Sequence, residues 1–394
     1  MNKITNKKQH IAIVRRSYRP DGGAEKIIQR IIAALQQHYP AKISLISQSW
    51  QSDDNQESKH QLLQLKKRVC LLRARCVRLF VSDIQATLAQ HHFDLIQSHE
   101  RVAGCQLYRA GDGVHAEWLA IRKAHASNFK ARLLAYSSFQ KAMCQAEEDM
   151  FLHPALKRVI CVSKRVKQEI IHHYPRIDAD KLTVIYNGID LQKYKPISAI
   201  QKQKLHDQYH YKQQDKIIVF VGSGFERKGL TELLKGLALS PEWQLIVIGK
   251  DKKQAQFETL CQHLGIAERV HFMGVQTAMY DWYGLADLLV HPAWYEPFGN
   301  VILEAMASGL GVICTEQCGI AELMTPENEG YILKQDHTQP DHNALEEQIA
   351  AYLKQCSDPK QLFELGQAAR KTAESLPISG MIKQFIALYQ DLLK

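Results

Sequence analysis

Residues 288–306 constrain the fold more than any other stretch of the chain. Leu288 to Val290 is a short apolar run that reads as the end of a buried strand. His291-Pro-Ala-Trp-Tyr-Glu-Pro-Phe-Gly299 follows, and Pro297 and Gly299 break any regular pattern. Val301, Ile302, Ala305 and Met306 then recur at helical spacing. Strand, tight loop and helix therefore follow one another directly, as they do in α/β proteins. Glu296 falls in the loop, and Glu304 falls eight residues on, inside the helix. Between them, the backbone N–H groups of Phe298, Gly299 and Asn300 meet a first helical turn that offers them no partner. Such a helix start attracts phosphate, and a carboxylate on either side accepts hydrogen bonds from sugar hydroxyls. The combination reads as a clamp for a nucleotide diphosphate carrying a sugar.

The same unit occurs twice more. Residues 10–15 read as a buried strand, Arg19-Pro-Asp-Gly22-Gly23 as a loop, and Ile27, Ile28, Ile31, Ile32 and Leu35 as one face of a helix. The glycine pair lets a ligand approach the backbone. Lys216 to Val221 reads as a strand and Gly222-Ser-Gly-Phe-Glu-Arg227-Lys228-Gly229 as its loop. Arg227 offers a fork to two oxygens and Lys228 a point charge, so the pair suits a departing diphosphate. At 394 residues the chain exceeds one ordinary core, and two domains are expected. The expected boundaries are a first domain at 1–195, a polar linker at 196–214, a second domain at 215–375, and a closing helix at 376–394.

Charge separates the halves. Residues 1–190 hold 30 Lys and Arg against 17 Asp and Glu, a surplus of 13, whereas residues 191–394 hold 20 against 24. The first half therefore faces something anionic: nucleic acid, an anionic membrane or an acidic glycan. No recognition-helix, OB or RRM signature accompanies the cations, which argues against nucleic acid. Two stretches mix cations with apolar side chains. In 62–90, Lys66, Lys67, Arg68, Arg73, Arg75 and Arg78 alternate with Val77, Leu79 and Phe80, as in either a membrane-facing surface or a core helix with a solvated basic face. In 116–149, Trp118, Phe129, Leu133, Tyr136 and Phe139 stand beside Arg122, Lys130, Arg132 and Lys141, the better match to a headgroup layer. No apolar run approaches the ~20 residues that span a bilayer, and Ile11–Val14 is too short for a signal-peptide core, so a cytoplasmic protein at the inner face of the membrane is expected.

A strand at 105–110 ends in Arg109-Ala-Gly-Asp112-Gly-Val-His115. A carboxylate at a strand's carboxyl end sits where open α/β sheets place ligands. Asp112 and His115 are candidates to orient an incoming hydroxyl or accept its proton, or else an ordinary turn aspartate and a structural histidine. The only D-x-D is Asp178-Ala-Asp180, which reads as a surface turn, so no metal site is expected and Arg227, Lys228 and the helix start at Gly299 take the place of a cation. Nine scattered cysteines without C-x-x-C read as reduced thiols.

The two glutamates in their His-Pro…Glu-Pro-Phe-Gly…Glu-Ala-Met-Ala-Ser-Gly setting resemble the signature of retaining glycosyltransferases of family 4, with the GT-B fold. That resemblance implies two Rossmann-like domains whose parallel sheets face a deep cleft. It extends to Ser-Gly-Phe-Glu-Arg-Lys-Gly, similar to the family's phosphate loop, and to Asn187-Gly-Ile-Asp190. It implies that Glu296 holds the donor sugar and Glu304 the ribose. Gly22, Gly23, Gly274, Phe298, Gly299 and Asn300 would line the donor, while Arg109, Asp112 and His115 would face the acceptor. Arg227, Lys228, Glu296 and Asp112 would carry the chemistry. Ser47-Gln-Ser-Trp50, Arg109 to His115, Val221 to Gly229 and His291-Pro-Ala-Trp are most similar to lipopolysaccharide core glucosyltransferases that use UDP-glucose; Pro297-Phe298 follows the wider family instead. The implied acceptor is an anionic lipid-linked glycan, with no cofactor. ADP-heptose, GDP-mannose and UDP-N-acetylhexosamine are the alternative donors.

Overall fold

Two parallel sheets organise the computed structural model, which describes residues 9–18, 23–38, 41–50, 61–68, 70–335 and 342–394. The chain divides into two units, Met1–Tyr186 with Ser379–Lys394, and Asn187–Ile378.

Unit one runs β1 (His10–Val14), β2 (Ser17–Tyr18), α1 (Gly23–His38), β3 (Lys42–Ser47), β4 (Ser49–Trp50), β5 (Gln61–Gln64) and α2 (Arg73–Gln90). It continues with β6 (Leu95–Ser98), β7 (Leu107–Ala110), α3 (His115–Ala124), α4 (Asn128–Tyr136), α5 (Ser138–Phe151), β8 (Arg158–Cys161), α6 (Lys164–His173) and β9 (Leu182–Val184). Seven strands form one sheet in the order β5-β3-β1-β6-β7-β8-β9, and each pairing within it is parallel. A parallel sheet is covered on both faces, so its strands are apolar nearly throughout. Ile11 to Val14 are accordingly all buried. The α1 stripe Ile27, Ile28, Ile31, Ile32 and Leu35 is buried as its spacing predicts.

Three stretches singled out in the sequence take the following forms. Within 62–90, the stretch to Gln64 is an edge strand and the helix begins only at Arg73; Val77, Phe80 and Ile84 are buried, so α2 is a core helix with a solvated basic face. Residues 116–149 form three helices; Ser137 Oγ caps the start of α5 by accepting from Gln140 N–H, and Ser127 precedes α4 in a non-helical conformation without a side-chain cap. Asp178 and Asp180 are exposed beside a 3-10 turn.

Unit two runs α7 (Ala199–Gln208), β10 (Lys216–Val221), α8 (Leu230–Ala238), β11 (Trp243–Ile248), α9 (Gln254–His263), β12 (Val270–Gly274), α10 (Met279–Leu285) and β13 (Leu288–His291). It ends with α11 (Asn300–Ala307), β14 (Gly311–Thr315), β15 (Gly330–Leu333), α12 (His342–Gln355) and α13 (Pro359–Glu374). The six-stranded parallel sheet has the order β12-β11-β10-β13-β14-β15. Residues 196–214, expected as a linker, carry α7 and belong to this unit: Lys202 pairs with Asp287 at 2.5 Å, and Tyr209 lies 4.5 Å from Trp282. The last helix, α14 (Ile378–Leu392), lies almost wholly in unit one, where Tyr389 is buried with its hydroxyl on Gln97.

Each sheet has one point at which the chain turns back and builds in the other direction. In unit one it lies between β1 and β6, and in unit two between β10 and β13. Open α/β sheets bind ligands in the crevice at the carboxyl ends of such strands.

Candidate active site

In unit two, the loops after β10 and β13 leave adjacent parallel strands and so emerge on the same sheet edge. They are tied together closely. Gly229 begins α8 with φ +77°, and a Cβ there would stand 1.9 Å from Pro292 O, so only glycine fits. Trp294 N–H donates to Arg227 O at 3.0 Å, and the Trp294 indole to Glu232 Oε1 at 3.1 Å. Phe225 N–H donates to Asp251 Oδ2 at 2.7 Å. The 291–299 loop is clipped to its other neighbour by Thr315 Oγ1 donating to Ala293 O at 2.6 Å and Gly319 N–H to Glu296 O at 2.9 Å.

That scaffold brings Arg227, Lys228 and Glu296 together. Lys228 Nζ contacts Glu296 Oε2, with both side chains largely buried. Arg227 is more open; its Nη1 donates to Tyr295 O at 2.8 Å and lies 4.0 Å from Glu296 Oε2. Burial pushes the Lys228 ammonium well below the ordinary lysine range, and Arg227 adds to this. The Glu296 carboxylate against Nζ opposes both effects.

His291, at the end of β13, is fully buried, lies parallel to Phe220 at 6.0 Å, and puts Nε2 3.5 Å from Glu296 Oε2. Burial, then Lys228 and Arg227, drive its pKa far down, so the imidazole is neutral. In the sequence His291 is only one residue of a motif; its approach to Glu296 depends on the loop's return path.

Gly299 caps α11 with φ +104° and no side chain closes the helix start. Asn300 begins the helix, and its Oδ1 accepts from Asn187 Nδ2 at 2.7 Å. Phe298 is buried, and its carbonyl accepts from Ile320 N–H at 2.7 Å. Glu304 lies on α11 itself, half-buried, its Oε2 accepting from Tyr283 OH at 2.9 Å. Gly274 ends β12, two strands from β10, at φ +65°; a Cβ there meets nothing within 4 Å. Unit two thus gathers an Arg-Lys pair, a carboxylate in contact with it, an open helix start and a second carboxylate on that helix.

Unit one has its own cluster at the switch point. Arg15 and Arg16 follow β1, and Glu100 and Arg101 follow β6. Arg16 N–H donates to Glu100 Oε1 at 2.9 Å, and Arg15 Nη1 lies 3.6 Å from the same oxygen. Burial raises the Glu100 pKa against the pull of Arg15. Asp112, half-exposed, pairs with Arg15 at 2.9 Å. Its packed surroundings act to raise its pKa, but Arg15 outweighs them and holds the carboxyl below its usual range. Arg109 is buried in β7, where burial drives its pKa down to about 10, and its guanidinium fills the space beside Gly111.

His115 opens α3. Its N–H donates to Glu147 and its Nε2 meets Gln140 Oε1 at 2.7 Å. Burial, then Arg101, lowers its pKa. Glu147, fully buried on α5, holds this loop: it takes Arg101 Nε at 2.7 Å, His115 N–H at 2.9 Å, Ala116 N–H at 3.1 Å and Tyr174 OH at 2.7 Å. Arg15, Glu100 and Glu147 carry no local motif, and only the topology brings them to Asp112 and His115. Gly23 opens α1, and Gly22 lies outside the described residues.

Two family models match the chain: Glycosyltransferase Family 4 over residues 21–193, and Glycosyl transferases group 1 over residues 201–372. Among curated proteins, the lipopolysaccharide glucosyltransferase WaaG of Escherichia coli (strain K12) is 27% identical over 335 residues, covering 83% of this chain and 85% of that one. Among solved structures, WaaG superposes with a TM-score of 0.80 at 23% identity over 95% of this chain and 98% of that one. HepE of Anabaena in complex with UDP-glucose superposes at 0.70 with 20% identity over 97% and 99%.

Proposed function

The chain belongs to glycosyltransferase family 4, and from that premise we propose that it transfers a hexose from a nucleoside diphosphate sugar, UDP-glucose first, to the heptose region of a lipopolysaccharide core. The observation that carries the proposal is the convergence of Arg227 and Lys228 on Glu296 beside the open start of α11. Two cations and a helix N-terminus together suit a diphosphate. Glu296 then takes the hydroxyls of the sugar and Glu304 those of the ribose. Arg227 and Lys228 neutralise the charge that develops on the leaving diphosphate, the role a metal ion plays elsewhere. The acceptor hydroxyl attacks on the face the diphosphate leaves, a diphosphate oxygen takes its proton, and configuration at the anomeric carbon is retained.

In the resting site, Lys228 and Glu296 neutralise each other. A donor separates them, giving Nζ a phosphate oxygen and the carboxylate a sugar hydroxyl, so neither is left desolvated and unpaired. Neutral His291 beneath Glu296 adds no charge to this exchange.

The acceptor reading rests on the basic character of unit one and on the cluster around Asp112. The surplus of 13 positive charges in residues 1–190 suits a phosphorylated, lipid-linked glycan. Exposed Phe129, Leu133 and Tyr136 on α4, beside exposed Lys130 and Arg132, suit an anionic membrane surface, and no residue of α4 is buried. No described helix is long and apolar enough to cross a membrane.

The test offers a panel of sugar nucleotides with truncated core oligosaccharide and determines the product linkage by NMR. UDP-glucose giving an α-linked hexose on heptose supports the proposal. Turnover with ADP-heptose, GDP-mannose or a UDP-N-acetylhexosamine alone would replace the donor. No transfer from any donor would overturn the reading.

A further inference from the structure

Tyr283 occupies the last turn of α10, five residues before β13 begins, and its side chain is fully buried. Its hydroxyl donates to Glu304 Oε2 at 2.9 Å. The ring has little freedom to leave. Tyr194 packs edge-on at 6.1 Å, and a Cβ on the adjacent Gly284 would lie 2.7 Å from Ile197 Cδ1, so α10 sits hard against the segment before α7. Burial, then the neighbouring Glu304, raise the phenol pKa well above its ordinary value, so the hydroxyl stays a donor across the working pH range.

A carboxylate has about four acceptor positions on two oxygens. A vicinal diol uses both oxygens only when the carboxylate plane is fixed. Left to rotate, the carboxylate of Glu304 would follow whichever hydroxyl or water remained. Tyr283, bonded to Oε2 from the protein side, restricts that freedom.

We infer that Tyr283 is a positioning residue that locks Glu304 in the orientation needed to read a ribose diol and so makes the site reject deoxyribonucleotides. The inference rests on the reading of Glu304 as the ribose ligand. A site built to bond a hydroxyl discriminates against the analogue lacking it, because its own polar group is left unpaired.

The experiment titrates the wild type, Tyr283→Phe, Glu304→Asp and Glu304→Gln by calorimetry. The probes are the best binder among UDP, ADP and GDP and its 2′-deoxy and 3′-deoxy counterparts. The wild type is expected to prefer the ribonucleotide about tenfold or more, the value of one charge-assisted hydrogen bond. Tyr283→Phe is expected to shrink that preference to about two- or threefold, chiefly by weakening the ribonucleotide, and to raise the donor KM while kcat holds. Glu304→Asp, which withdraws the carboxylate from the hydroxyl, is expected to shrink it likewise and stands in should the Phe variant not fold.

Wild-type preference in a folded Tyr283→Phe (or, should that variant not fold, in Glu304→Asp), or equal weakening of ribo- and deoxyribonucleotides, overturns the positioning role. If Glu304→Gln also keeps the preference, or if none of the three nucleotides binds, the ribose reading itself falls.

Discussion

Lys228→Met separates what the buried ion pair does for the fold from what it does for the reaction. Methionine keeps most of the lysine stem and removes the charge. The Glu296 side chain, 16% exposed, then loses its buried cationic partner and keeps Arg227 at 4.0 Å and the imidazole of His291 at 3.5 Å. Removing one partner of a buried pair costs about 3–5 kcal/mol. Lys228 is itself held against its preference, since burial drives its pKa well down, and methionine relieves that cost. A net loss of about 1–3 kcal/mol is expected, or roughly 3–10 °C in the melting temperature of a unit of this size. Turnover is expected to fall about 10²–10³-fold, as it does when one oxyanion-type donor is lost. The double variant Lys228→Met/Glu296→Gln is expected to regain stability to within ~1 kcal/mol of the wild type, because no buried charge is left alone, and to stay inactive. Melting by differential scanning fluorimetry and release of nucleoside diphosphate measure the two quantities. A double variant no more stable than the single, or a single variant within tenfold of wild-type turnover, would refute the reasoning.

Four further outcomes are expected. Arg227→Ala lowers turnover by a similar factor with little change in melting, since the guanidinium is about one-third exposed and donates to the Tyr295 carbonyl; near-full turnover would count against its role. Glu147→Gln destabilises by about 3 kcal/mol in urea titration followed by circular dichroism, because Arg101 is left without a buried counter-charge, and a loss under ~1 kcal/mol would show that the network tolerates a neutral amide. Asp112 has a folded-state pKa below its ordinary 3.8, so its pair with Arg15 contributes above that pH and is lost as pH falls through the depressed value. The melting difference between wild type and Asp112→Asn should accordingly close in acid. For the membrane proposal, replacing Phe129, Leu133 and Tyr136 together by Ser should cut co-flotation with phosphatidylglycerol vesicles about tenfold or more, without altering transfer to a soluble acceptor.

The periodicity of the sequence was enough to define the two α/β halves. Continuous apolar runs such as Ile11–Val14 and Ile217–Val221 have no polar face to show to water, so they become buried parallel strands whatever surrounds them. Glycine at 229 and 299 and the break at Pro297 are local steric facts and were legible for that reason, whereas the breaks at Ser127 and Ser137 came to light only in the structure. The donor-side candidates were legible too, because Arg227, Lys228, Glu296 and Glu304 sit in loops and a helix start whose chemistry is set by near neighbours in the chain.

Tertiary structure alone decided the partners. Residues 196–214 are polar and weakly periodic, yet they hold a helix, because Lys202 meets Asp287 and Tyr209 meets Trp282 across more than seventy residues. Arg15 reaches Asp112, Glu147 reaches His115, and Tyr283 reaches Glu304 for the same reason. Strand order brings distant positions within hydrogen-bond range, and strand order is a property of the whole sheet that no local spacing encodes.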